Sequence, residues 1–483
     1  MIFSTYSFVF IYLPLVLLLY FGMARYVSRR FQQIFLIVAS LIFYGAIFFQ
    51  GFEHLWYIAL IMSSVIVNYS VATGVQNIAR PPTRKIVFTI GVIFNVVLLG
   101  YYKYSNFFLE NINYAFDTQF VIKHIMLPIG ISFFTFQQIA FLISVLKREE
   151  KVPNFWDYTL FIVFFPQLVA GPIVFLKDVL HQYLDEKNRF FNAKNFSAGL
   201  FIFVIGLFKK AVIADTLDNF VFYSYLSPEK LGFATSWLTA LSYSFQIYFD
   251  FSGYSDMAIG LAKMMNINLP VNFYSPYKSV SITEFWKRWH ITLGRSLAVL
   301  IYYPLGGNRK GLARTCFNLF AVFFVSGIWH GAAWTFIVWG IAHGVVRIFE
   351  RLFMKYLEKI PNLIRIFFTF MFVNAAWVLF RSPTFDIALA VLKNMFAPES
   401  FSFSGIAHMA YNTSITYPDS MAVIYVLAIL SILTTLVFLY PKNSIDKYNE
   451  FKPTVKSAMV IALLFTVSVI HFSRVGAFIY FNF

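Results

Sequence analysis

Charge is what this sequence has least of. Asp, Glu, Lys and Arg make up 12% of its 483 residues, where soluble globular chains carry roughly 25%. Hydrophobic residues reach 59% and the mean hydropathy is +0.69, so a water-soluble enzyme is excluded. Acidic residues are scarcer still, 22 against 38 basic ones, for a net charge of +16. No basic tail or nucleic-acid fold pattern accompanies that charge, so no nucleic-acid partner is expected, and basic loops beside a membrane are the simpler cause. A single cysteine, Cys316, rules out an internal disulfide and reads as a small packing residue. Cys and His nowhere cluster with zinc-like spacing, so no metal is expected. The G-x-S-x-G elbow of serine hydrolases is missing, as are internal repeats, low-complexity stretches and any stretch resembling a soluble domain.

What is present is apolar and aromatic: 62 Phe and 29 Tyr suit lipid-facing helices with aromatic belts. A spanning helix needs about 20 predominantly apolar residues. Such segments lie near 6–24, 34–50, 55–75, 86–104, 125–146, 158–175, 198–222, 236–262, 315–349, 366–381, 421–440 and 457–473, the run 315–349 being long enough for two pieces. The expectation is an all-α polytopic membrane protein of about eleven transmembrane helices, with re-entrant or interfacial helices around a central funnel or tunnel. Basic residues mark alternate loops: Arg25, Arg29 and Arg30; Arg80, Arg84 and Lys85; Lys147, Arg148 and Lys151; Lys442, Lys447, Lys452 and Lys456. Between them, Gly51–His54, Ser105–His124 and Ala397–Ser420 are poor in Lys and Arg. Since Lys and Arg collect on the cytoplasmic side, both termini are expected outside. The first apolar run has no basic stretch before it, so it reads as a spanning helix rather than a cleaved signal.

The middle of the chain differs from its flanks, which sets expected divisions at 1–124, 125–349 and 350–483. Its apolar runs are broken at Leu127–Ser132 and Phe164–Ile173, and irregular backbone at membrane depth survives only inside protein or beside a wet cavity. Val325–Trp334 (VSGIWHGAAW) carries His330 in the middle of an apolar run, where an ionisable group is a functional candidate by default. The plainer alternative is a buried histidine bonded to a neighbouring helix. Gly327 and Gly331 are four apart, as are Gly340 and Gly344, the spacing of close helix contacts. His330 and Trp334 share that spacing and on one helix would share a face. His343, thirteen residues beyond His330, would point elsewhere on a continuous helix and is not paired with it.

Asp250–Asp256 (DFSGYSD) sets two carboxylates among apolar residues. Either they cap helix ends or they line a polar cavity, with Asp256 orienting a histidine or binding a polar group. Ser281 and Glu284 read as a capping box, opening an amphipathic interfacial helix with Trp286, Lys287, Arg288, Trp289 and Arg295. His290 lies on it and by itself reads as interfacial. Pro304–Gly311 (PLGGNRKG) is a basic Gly-rich loop without Walker A spacing: a phosphate site or a short cytoplasmic turn.

Taken in order, LPIGISFFTFQ (127–137), FFPQLVAGPI (164–173), GLFKKAVIAD (206–215), DFSGYSDMAIG (250–260), EFWKRWHITL (284–293), PLGGN (304–308), SGIWHGAAW (326–334) and FIYFNF (478–483) resemble the membrane-bound O-acyltransferase family. The nearest likeness is its bacterial branch of alginate and peptidoglycan O-acetyltransferase membrane subunits. The resemblance implies that His330 matches the family's near-invariant histidine and His290 its upstream polar position. It also implies a funnel where a cytoplasmic donor and an outer acceptor meet, so that 125–349 would hold the catalytic core. Two positions depart from the pattern: Phe175 stands where relatives often carry Arg, and Ala298-Val299 where they often carry Arg-Asp.

The expected function is transfer of an acetyl group from a cytoplasmic thioester, with acetyl-CoA as co-substrate and no bound cofactor. His330 is the expected general base and His290 the residue that holds the thioester carbonyl or orients the donor. Trp329 and Trp334 would wall a water-poor passage, and Asp250 and Asp256 would support it. Arg309, Lys310 and Arg314 would meet the donor's phosphates. A separate periplasmic transferase of SGNH type, or the glycan itself, would accept the group, with membrane lipids around the chain in a bacterial cytoplasmic membrane. D-Alanyl transfer from a carrier protein to teichoic acid is the alternative within the family. A transporter or proton channel using Asp250, Asp256 and His330 is the alternative outside it.

Overall fold

The computed structural model describes residues 2–47, 55–122, 125–398, 419–474, 476 and 478–482. The loop expected at 51–54, most of that at 397–420 and His124 lie outside them. All regular structure among the described residues is helical. Eight helices are long and apolar enough to cross a membrane: Ser7–Arg25, Arg29–Ile47, Trp56–Asn77, Pro81–Phe116, Ala193–Leu226, Gly311–His330, Asn362–Arg381 and Val455–Ser473. Shorter apolar helices run over Ile131–Leu146, Ile291–Tyr302 and Val426–Leu439. The multi-pass helical class is therefore as expected, with eight full-length spans among the described residues where about eleven were anticipated for the chain. The apolar run near 158–175 accounts for part of the difference: its helix stops at Val163, resumes for Phe165–Leu168 and then gives way to irregular backbone.

The chain divides into two compact units. The first comprises Met1–Leu207, Tyr254–Val271 and Glu450–Phe472. Its irregular stretch from Val169 to Phe175 is wholly buried in protein, the condition under which non-helical backbone persists at membrane depth. Three of its helices are tied by side-chain amides: Asn95 Nδ2 donates to Asn68 Oδ1 (2.6 Å), Asn68 Nδ2 donates to Gln138 Oε1, and Ser64 Oγ donates to the same oxygen (3.0 Å). With no hydrophobic drive between helices in lipid, such bonds help choose partners and register. Asp256 lies in this unit, buried in the C-terminal part of the 32-residue helix Phe233–Met264.

The second unit comprises Phe208–Gly253, Asn272–Asn449 and Ser473–Phe483. Its centrepiece is a hairpin of Gly311–His330 and Trp334–Leu357, the two pieces that the long apolar run allowed. The hairpin closes at Gly327 and Gly340. A Cβ on Gly327 would sit 2.5 Å from the carbonyl oxygen of Phe336, and one on Gly340 would collide with that of Phe323. Only glycine lets the backbones pass this closely; of the four glycines expected at close helix contacts, Gly331 lies beyond the helix end in extended backbone. Aromatic residues fill the interior beside it: Trp377 stacks on Trp339 at 5.8 Å and packs on Trp289 at 4.9 Å.

Candidate functional site

The Gly311–His330 helix ends on His330 itself, and Gly331 continues in extended backbone (φ −163°, ψ 153°). Three non-helical residues follow before Trp334 opens the next helix. The expectation that His330 and Trp334 share a helical face is therefore wrong: the break separates them, His330 is 2% exposed and Trp334 is 53% exposed. Around the His330 imidazole stand the rings of Trp329 (5.0 Å), Trp339 (5.0 Å), Phe380 (5.2 Å) and Tyr480 (5.9 Å), all edge-on. A histidine in such surroundings sits in low dielectric with little water, where electrostatic interactions are strong.

His290 is also fully buried, which corrects its reading as an interfacial residue. Only half of the expected capping box forms: Ser281 Oγ accepts from the Glu284 N–H (3.1 Å), but the Glu284 carboxylate takes the Val280 N–H (2.8 Å) and not that of Ser281, and the helix ends at Arg288. Trp289 then turns inward and His290 adopts left-handed backbone (φ 44°) at the N-cap of Ile291–Leu297, a conformation that costs energy for a non-glycine residue. One side-chain oxygen explains its orientation. Asn272 Oδ1 accepts from the Thr292 N–H (3.2 Å) and Thr292 Oγ1 (2.9 Å), and His290 Nδ1 lies 3.2 Å away. A backbone N–H can only donate, so that atom is the oxygen, and Nδ1 must carry the proton. Burial lowers the His290 pKa from its ordinary value, so the ring is neutral and its lone pair is on Nε2. His290 packs on two of the rings that surround His330, Trp329 (6.1 Å) and Tyr480 (6.3 Å).

His343 joins them, contrary to expectation. On one continuous helix the two would point apart; with the chain reversing at Gly331, His330 and His343 both pack on Trp339, at 5.0 and 4.8 Å. Trp286 Nε1 donates to His343 Nδ1 (3.2 Å). Asn272 and Tyr480 were not singled out as site residues, and His343 was set apart from His330, because their placement depends on contacts between distant segments. Tyr480 alone left a trace, inside the FIYFNF motif.

Asp250 does not cap a helix end. It is mid-helix, 1% exposed, with Lys210 Nζ 2.7 Å from its Oδ1. Arg309, Lys310 and Arg314 are exposed at the other end of the His330 helix. There Gly306 and Gly307 turn the chain with positive φ, and Asn318 Nδ2 donates to the Gly307 carbonyl (2.8 Å). Arg314 stands sixteen positions before His330, about 24 Å along the axis at helical rise.

The fold and this buried set of histidines define an all-helical, multi-pass membrane protein with a dry, aromatic-lined site. Residues 122–382 match the sequence profile of the membrane-bound O-acyltransferase family, and the chain belongs to that family: it is an acyltransferase. It is 37% identical over 522 aligned positions to the peptidoglycan O-acetyltransferase of Helicobacter pylori, covering 100% of this chain and 98% of that protein. It is 39% identical to the probable alginate O-acetylase AlgI of Pseudomonas putida, over 82% of this chain and 80% of that protein. A more remote relative is the teichoic acid D-alanyltransferase of Streptococcus thermophilus, 29% identical over 45% of this chain and 55% of that protein.

Proposed function

We propose that the protein moves an acetyl group from a cytoplasmic thioester, acetyl-CoA, to a hydroxyl on the outer face of a bacterial cytoplasmic membrane. The acceptor belongs to a periplasmic transferase of SGNH type, or directly to peptidoglycan or another surface polysaccharide. Both termini face outside in this reading, supported by the alternation of basic loops. One observation carries the assignment of the site: two fully buried imidazoles, on separate helices of one unit, share Trp329 and Tyr480 as neighbours. The end-to-end similarity to a peptidoglycan O-acetyltransferase supports acetyl as the group moved.

In the reaction the acceptor oxygen attacks the thioester carbonyl carbon, and its proton passes to an imidazole nitrogen of His330. The intermediate collapses with cleavage of the C–S bond, and the proton returns from the imidazolium to sulfur, which leaves as the thiol. General-base help of this kind contributes roughly 10²–10⁴ in rate. The His290 tautomer narrows its role. A neutral ring with its lone pair on Nε2 accepts a hydrogen bond there, which suits an N–H of the donor arm and not the thioester carbonyl. Trp329 helps keep water from the thioester. Arg309, Lys310 and Arg314 meet the donor's phosphates.

Acetyl-CoA consumption by purified protein in liposomes tests this. His330→Ala should abolish transfer while the protein still inserts; unchanged turnover would remove His330 from the mechanism. The similarity to D-alanyltransferases favours one competing reading, transfer of D-alanine from a charged carrier protein. Labelled carrier and labelled acetyl-CoA offered to the same membranes distinguish the two.

A further inference from the structure

Behind Tyr480 lies a buried charge cluster that the reaction does not use. Lys210 Nζ is 2.7 Å from Asp215 Oδ1 and 2.7 Å from Asp250 Oδ1, and all three side chains are almost completely buried. Local backbone makes the first pair possible. Lys210 and Asp215 are five apart, which regular α-helix would set about 140° apart around the axis. The stretch Lys209–Ala214 is instead π-helical, and i→i+5 closure brings the two onto one side.

Ions buried in this way add little net stability but can fix one arrangement among several. What this cluster fixes can be read from the remaining oxygen. Asp250 Oδ2 accepts the backbone N–H of Ile479 (2.9 Å), the first residue of the short 3₁₀ turn Ile479–Asn482. The same segment runs past the other carboxylates: a Cβ on Gly476 would lie 3.5 Å from Asp215 Oδ1 and from Asp218 Oδ2. Asp218 in turn is held by Gln246 Nε2 (2.6 Å). One residue beyond Ile479, Tyr480 packs on Phe251 (4.2 Å), the neighbour of Asp250, and reaches His330 (5.9 Å) and His290 (6.3 Å).

We propose that Lys210, Asp215 and Asp250 form a buried latch, with Asp250 a positioning residue that acts through Ile479 to hold Tyr480 as a shared wall of the two histidines. The role in transfer rests on the acetyl-transfer reading above; the latch itself does not. A carboxylate that receives both an ammonium and a backbone N–H fixes the chain at one point, and the adjacent ring is thereby fixed as well. Without that bond, the segment would leave the site open on the side where water must be excluded.

The test is a double-mutant cycle in the full chain, with Asp250→Ala and Ile479→Pro. Proline removes the N–H, and at the first position of a helical turn its ring is tolerated. Each single change should lower acetyl transfer roughly ten- to a hundredfold, the range for a hydrogen bond to a charged group. The double variant should be no slower than the slower single, because both act through one contact. Chymotrypsin followed by intact-mass measurement supplies a readout independent of activity. Wild type should resist cleavage at Phe478 and Tyr480, and both single variants should be cut there. Losses that multiply in the double variant, or a segment still protected in Ile479→Pro, would overturn the proposal. Ile479→Pro leaves the ion cluster intact, so it remains informative even where Asp250→Ala fails to fold. Wild type that transfers no acetyl group while the single variants become cleavable would keep the latch and discard the acetyl-transfer reading.

Discussion

At the scale of single residues, the site turns on Asn272 as much as on the histidines. Its one oxygen takes three donors, two from Thr292 and one from His290. Removing it takes away the acceptor that fixes the proton on His290 Nδ1. Asn272→Ala should therefore reduce acetyl transfer by roughly ten- to a hundredfold, seen as initial rates at saturating acetyl-CoA, with unaltered detergent solubility. Asn272→Asp should be milder, because a carboxylate still accepts from all three. At this scale the sequence exposes only what is odd where it stands. His330 is visible because apolar residues surround it in the chain. Asn272 is an ordinary polar residue in an ordinary loop, and nothing short of the fold reveals that it faces a histidine eighteen residues on.

Helices and turns are the next scale, and there the glycines give the sharpest expectations. Valine at Gly327 or Gly340 would drive side-chain atoms into a backbone carbonyl of the opposing helix. Either change should destabilise by about 1–3 kcal/mol or more, measured as a lower unfolding midpoint in detergent. Gly344→Ala brings its Cβ to 3.3 Å from the Phe323 Cβ, a contact that a small shift relieves, and should cost much less. Small residues at Gly327 and Gly340 were marked beforehand as candidates for close contact, as the Ser281 cap was from the residue types at its helix start. The breaks at Gly331–Ala333 and at Trp289-His290 were not. Periodicity continues through both, so local pattern could not show that the chain reverses at one and turns inward at the other. Those two breaks set His290 and His330 against Trp329 and Tyr480, and His330 and His343 against Trp339.

The whole molecule is where net charge and topology act. Basic residues outnumber acidic ones by sixteen, and three of them cluster at the exposed end of the His330 helix. Reversing Arg309, Lys310 and Arg314 to Glu should raise the apparent KM for acetyl-CoA severalfold at low salt and less at high salt, as exposed charges are screened, while leaving kcat nearly unchanged. Equal kinetics in the reversed protein would move donor recognition elsewhere. Class and multi-pass character were legible from composition because hydrocarbon leaves so few choices. The number of full-length spans was less so: buried irregular segments such as Val169–Phe175 are as apolar as a crossing helix.

The helix that carries the basic cluster at one end and His330 at the other has an electrical consequence. On the proposed reading, a donor bound by its phosphates at the exposed end would stay on the side where it is made, and the moving piece would be a neutral two-carbon group. Carrying one elementary charge through a potential of 100 mV is worth about 2.3 kcal/mol; carrying none is worth nothing. Turnover in sealed vesicles should then be the same with the voltage intact or collapsed by a potassium ionophore, and a voltage-dependent rate would mean that charge crosses with the acetyl group.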